Sequence, residues 1–338
     1  MKKRTLHIFN IIFLLLGIGI IYYIGYRIGW GEIWAKILSI SPLELGIILI
    51  LPIGWHLFHS LGWFFLLAQK SSFNFLHIIG AHLSSAAVSE VVPMGQAGGE
   101  PYRAYFVRKQ YSREKSPNII ASIILYNTIH SIATGILFAV GFIMILSIID
   151  VQIYKRILFI LALVVGFGVV VFFIQKQKKG FMSKIFDILG RFRPLQGFVE
   201  RKRPKAEMVD ERLGQFYREH RIFFYISLLF VGIAKSFGAI EVYLIMKFIG
   251  YPISFMVAFI VFSGSALIQL VLFFFPAQIG ASEGSVVYLL SVLGHPPIYG
   301  ITLALFRRIR VIFWTIIGLI IGYIWGPKPG EAEKADVD

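Results

Sequence analysis

Two octapeptides hold the most chemically loaded residues of the chain. Pro93-Met-Gly-Gln-Ala-Gly-Gly-Glu100 and Pro276-Ala-Gln-Ile-Gly-Ala-Ser-Glu283 each run from a proline to a glutamate seven residues later, with small residues just before the acid. Each also carries a glutamine, Gln96 or Gln278, and backbone-permissive glycines, Gly98 and Gly99 or Gly280. Arg103 follows Glu100 by three residues, an ion-pair spacing if a helix begins there. Arg307, Arg308 and Arg310 stand inside the last apolar run, and pairing of Glu283 with Arg307 or Arg308 is expected. Counting 180 residues back from Arg307 reaches Asn127, which is polar but uncharged.

A guanidinium can hold a phosphate or carboxylate through paired hydrogen bonds. A neighbouring glutamate can hold that guanidinium or carry a coupling proton. The structural alternative is that such pairs only tie irregular segments to their neighbours. Glu90, Lys235, Glu241, Asn127 and His130 lie in or near apolar runs and read as local partners or interfacial residues. His56 with His59, or His77 with His82, lack the compact acid cluster a metal would need, so no metal or cofactor is expected. No Walker-type loop and no His-Glu-x-x-His occurs, which leaves ATP hydrolysis and metalloprotease chemistry unsupported.

These residues need a lipid-embedded scaffold. The chain has 338 residues, of which 57% are hydrophobic and 15% charged, against about 25% charged in a soluble domain. Six stretches suit membrane spans: about 8–28, 43–68, 117–148, 157–175, 222–249 and 298–325. Two more, about 75–93 and 252–276, each run into one of the Gly-rich octapeptides. With no cysteine, disulfides and thiolate sites are excluded. The net charge of +15 sits in loops and reads as topology and lipid contact rather than nucleic-acid binding.

Lys and Arg mark the cytoplasmic side. Segment 101–116 carries five of them, and 176–221 carries thirteen against six acids. Both basic loops and both termini are therefore expected inside. The stretch 75–93 must then enter and leave on one side, as a re-entrant hairpin. Residues 181–192 show helical apolar spacing, consistent with an amphipathic helix on the inner leaflet or with a solvated connector. The expectation is an all-α polytopic membrane protein with six to eight transmembrane helices in two inverted repeats, each with a re-entrant segment. One domain would fill 1–328: a first half over 8–175, a basic connector over 176–221 and a second half over 222–325, followed by an acidic tail at 329–338. Broken elements in inverted repeats are a transporter architecture.

The two motifs, the basic loop and the Arg-Arg pair together resemble the lysylphosphatidylglycerol synthase transmembrane-region family, the flippase-like domain proteins, over about 8–325. The form Pro-Ala-Gln-Ile-Gly-Ala-Ser-Glu-Gly looks most like the hopanoid-associated subgroup. The resemblance implies a domain that moves or accommodates membrane lipids, without the soluble aminoacyl-transferase domain that some relatives carry. Glu100, Arg103, Glu283 and Arg307 match. Tyr126, Asn127 and His130 stand where many members carry an acid–Arg pair and a later Asp. The expected role is lipid or lipid-linked-substrate transport in the cell membrane, not catalysis. The alternatives are a membrane enzyme acting on a lipid head group, with Ser282 beside Glu283 as the one candidate nucleophile, and a non-transporting partner subunit. Anionic or polar lipids are the expected partners, with a second copy or a membrane enzyme also open.

Overall fold

The computed structural model describes residues 29–67, 73–92, 98–111, 116–148, 152–192, 196–272 and 278–326, together with Gly19, Tyr22, Tyr23, Tyr26 and Arg27. The expected first span at 8–28, the acidic tail, and Pro93, Gln96 and Pro276 lie wholly or largely outside them. The described residues form α-helices and no strand. The protein is an all-α polytopic membrane protein.

Helix α1 covers Trp30–Leu38, α2 Pro42–Ile50 and α3 Pro52–Leu67. A capping box closes the start of α2: the Ser41 hydroxyl accepts from Glu44 N–H, and the Glu44 carboxylate accepts from Ser41 N–H at 2.9 Å. Pro52 has no N–H to continue the ladder, so the expected span at 43–68 is two helical segments in one apolar run. Helix α4 (Phe75–Val91) begins at Asn74, whose side chain accepts from Leu76 N–H. After the first octapeptide come α5 (Glu100–Gln110) and the long α6 (Ser116–Ile148). Helix α7 (Ile153–Gln177) precedes the connector, which forms two helices, α8 (Phe181–Leu189) and α9 (Gln196–Glu219). The second half contains α10 (Arg221–Phe248), α11 (Phe255–Val271), α12 (Ala281–Val292) and α13 (Pro297–Trp325).

Among the described residues, four stretches are long and apolar enough to cross a bilayer: Pro42–Leu67, Ser116–Ile148, Arg156–Gln177 and Arg221–Phe248. Helix α13 has the length, at 29 residues, but carries three arginines. Helix α7 leaves Ile157, Leu158, Val164, Phe167 and Phe172 exposed, an apolar surface suited to a lipid environment. By contrast α4 and α11 have 17 residues each. At 1.5 Å per residue they reach about 25 Å, short of the roughly 30 Å hydrocarbon core. Helix α4 packs on α5, and α11 on α12.

The helices of the first and second parts of the chain interlock. Helices α3 and α10 pack on each other. Helix α4 lies against α13, and α11 lies against α6.

Two apolar clusters form the interior. One is built on Trp63, Phe106, Ile129 and Val231, the other on Leu137, Ala239, Phe262 and Leu303. Three helices cross both clusters and place polar groups between them. On α3 the residues between Trp55 and Trp63 include His56 and His59. On α6, His130 lies between Ile129 and Ala133 of the first cluster, ahead of Leu137 of the second, and on α10 Lys235 lies between Val231 and Ala239. These side chains form a polar belt inside the apolar interior.

Candidate functional site

The first half of the belt centres on Arg103. Gly99 lets α5 turn back against α4, because a Cβ there would overlap the Ser85 carbonyl and the Ser89 hydroxyl. The turn brings Arg103 in from the first coil of α5, where it is buried at 6% exposure. Its Nε donates to Ser85 Oγ at 3.0 Å and an Nη lies 3.4 Å from His82 Nδ1. The other Nη lies 3.4 Å from Glu100 Oε1, the expected i,i+3 pair. Trp63 and Tyr126 offer ring faces to the guanidinium, with centroids 5.1 and 5.2 Å away. Asn127 stands beside the Glu100 carboxylate. Glu100 keeps one buried carboxylate oxygen, and Arg103 one Nη, without a hydrogen-bond partner in the described structure. Gly98 lies against Val92 and contributes backbone room rather than a polar contact.

The second half of the belt is an acid–arginine network. Gly280 adopts φ +80°, a conformation that suits glycine, and its N–H donates to Glu283 Oε2 at 2.8 Å. The other oxygen of Glu283 receives Arg308 through Nε at 2.8 Å and Nη2 at 2.6 Å. Of the two partners expected for Glu283, Arg308 is the one that meets it. Arg310 and Arg307 instead meet Glu241 on α10, at 2.7 and 3.7 Å. Glu283 and Glu241 are buried, at 1% and 4% exposure. Gln278 sits in the second turn with φ 51°, in the left-handed region.

Histidines join these halves. His56 Nδ1 lies 3.4 Å from His82 Nε2, and its ring packs on Trp314 of α13. His59 Nδ1 meets the Tyr126 hydroxyl at 2.7 Å. His130 Nε2 lies 3.3 Å from Lys235 Nζ. Rings of His59 and His130 have centroids 5.6 Å apart, and those of His59 and His82 5.8 Å apart. Among the described residues no group of three His, Asp or Glu side chains is arranged to hold a metal ion.

Glu241 and the buried histidines belong to the polar belt, although the two octapeptides alone do not point to them. The signal was present: Glu241, His59, His82 and His130 are ionisable residues inside apolar runs, which mark functional candidates by their cost of burial. Ser282, in contrast, stands beside a Glu283 whose two oxygens are already occupied by Gly280 and Arg308.

The chain matches a family model described as the lysylphosphatidylglycerol synthase TM region over residues 10–319. No curated protein and no solved structure matches it at a significant level.

Proposed function

The chain belongs to the lysylphosphatidylglycerol synthase transmembrane-region family, and from that premise we propose that it moves lipids or lipid-linked molecules between leaflets, binding their anionic head groups at the Arg–Glu belt. One observation carries this reading. Two arginines, buried Arg103 in one half and partly buried Arg308 in the other, are held by the glutamates that end the two octapeptides. Irregular backbone at membrane depth is tolerated only where protein covers it or a wet path runs beside it. A guanidinium held by a carboxylate can exchange that partner for a phosphate of similar geometry.

In this reading α4–α5 and α11–α12 are re-entrant hairpins entering from opposite faces. Both termini are cytoplasmic, and the helical connector α8–α9 lies along the inner leaflet. An enzymatic role is disfavoured by the occupied carboxylate of Glu283, which leaves Ser282 without a free base. A test is transbilayer movement of a labelled anionic lipid in proteoliposomes. Wild type should move it, and a Glu100→Ala, Glu283→Ala double variant should be much slower. Equal rates would remove these residues from the pathway.

A further inference from the structure

We propose that His82 takes up a proton when an anionic phosphodiester head group engages Arg103, so that lipid anion and proton are bound together. The inference rests on the head-group reading above and adds the co-substrate to it.

The argument starts from donors and acceptors. Arginine can only donate, so His82 Nδ1, 3.4 Å from the guanidinium, must accept. The proton of His82 then resides on Nε2, which faces His56 Nδ1 at 3.4 Å. A permanent cation thus holds His82 neutral. The same logic applies to His130, whose Nε2 faces the Lys235 ammonium at 3.3 Å.

A phosphodiester that takes Arg103 changes both conditions at once. It competes for the donor that occupies Nδ1 and places negative charge beside the ring. Nδ1 can then accept a proton and donate it to a phosphate oxygen. One proton leaves solvent, one N–H bond forms, and no electrons move. The bound pair has one fewer net charge to carry through a low-dielectric interior, where an unpaired ion is costly.

The surroundings of His82 supply the remaining charges. From α5 come Arg103 and Glu100, and from α3 His56 and His59. From α6 come Tyr126 and His130, the latter facing Lys235 of α10. On the side of α13, Arg307, Arg308 and Arg310 are engaged by Glu241 and Glu283, and Glu90 closes α4. His59 Nε2 is buried without a partner, next to His82, and offers a further place for the proton to move.

The test is calorimetric titration of the full chain in detergent with a short-chain phosphatidylglycerol, in two buffers of different ionisation enthalpy. Uptake of about one proton per lipid is expected, and affinity should fall as pH rises, approaching tenfold per pH unit. His82→Gln should bring proton uptake close to zero. His77→Gln, beside Tyr111 and outside the Arg103 contacts described above, should leave it unchanged. Wild-type binding that ignores both buffer and pH overturns the proposal, and this arm needs no variant. Binding with full proton uptake in His82→Gln also overturns it. No binding by the wild type overturns the head-group reading itself. Equal uptake with glycerophosphoglycerol, the same phosphodiester without acyl chains, keeps the proton linkage and overturns the lipid as its source.

Discussion

Glu283 and Arg308 form the pair whose removal is most informative. The carboxylate is 1% exposed and the arginine side chain 20%. The carboxylate accepts two bonds from Arg308 and one from Gly280 N–H. Removing one partner of a buried pair costs about 3–5 kcal/mol, because the other charge is left uncompensated. The partial exposure of Arg308 places this site at the low end, near ~3 kcal/mol, for Arg308→Met. For Glu283→Gln the amide retains some of the bonds, so ~2 kcal/mol is expected. Removing both charges leaves neither stranded, and the double variant should lose only ~1–2 kcal/mol. The coupling is then about 3–4 kcal/mol, well beyond the additivity expected of independent sites. Denaturant unfolding in a fixed detergent, followed by tryptophan fluorescence, measures all four corners. The same four proteins should be assayed for lipid movement, where the double variant should remain slow although its stability returns. Single variants that add to within about 0.5 kcal/mol would refute the pairing. Lipid movement that recovers with stability would reduce the pair to a strut.

Other expectations follow from particular contacts. Gly99→Ala would drive a Cβ into the Ser85 carbonyl and should lower stability by more than about 2 kcal/mol, read from thermal unfolding in detergent. Gly280→Ala should cost less, about 1–2 kcal/mol, because it strains one φ rather than displacing a helix. Lys235 is buried and faces His130 rather than a carboxylate, so Lys235→Met should leave stability within about 1 kcal/mol or raise it. A large loss in the same unfolding assay would show an unseen counter-charge. Asp210 accepts from Met182 N–H at 2.8 Å and from Ser183 N–H at 2.7 Å, fixing the start of α8. Asp210→Asn should speed hydrogen exchange at those amides while leaving α10 unchanged.

The motif spacing already implied much of the site. Glu100 and Arg103 meet as the three-residue spacing requires, since α5 begins at Glu100. The charged connector and the apolar runs also map onto helices at close to their expected limits. Partner choice across the halves was not legible. Arg307 and Arg308 are neighbours in sequence but about 100° apart around α13, so one reaches Glu241 and the other Glu283. Which does which depends on how α13 is rotated against α10 and α12, a property of packing between distant segments. The histidine belt was hidden for the same reason. His59, His82 and His130 come from three helices, and only their crossing brings the rings together. Apolar periodicity could not anticipate the Pro52 interruption of the 43–68 run either, although the proline itself was in view.

Lipid movement in sealed vesicles tests the proposed function most directly. Proteoliposomes carrying a head-group-labelled phosphatidylglycerol would be exposed to a membrane-impermeant quencher. Protein-free vesicles should retain the signal of the inner leaflet. Vesicles with wild-type protein should lose that signal over time, and those with the Glu283→Gln, Arg308→Met protein should retain it. Retention by wild-type vesicles, with the protein shown to be folded and inserted, would contradict lipid translocation at this belt.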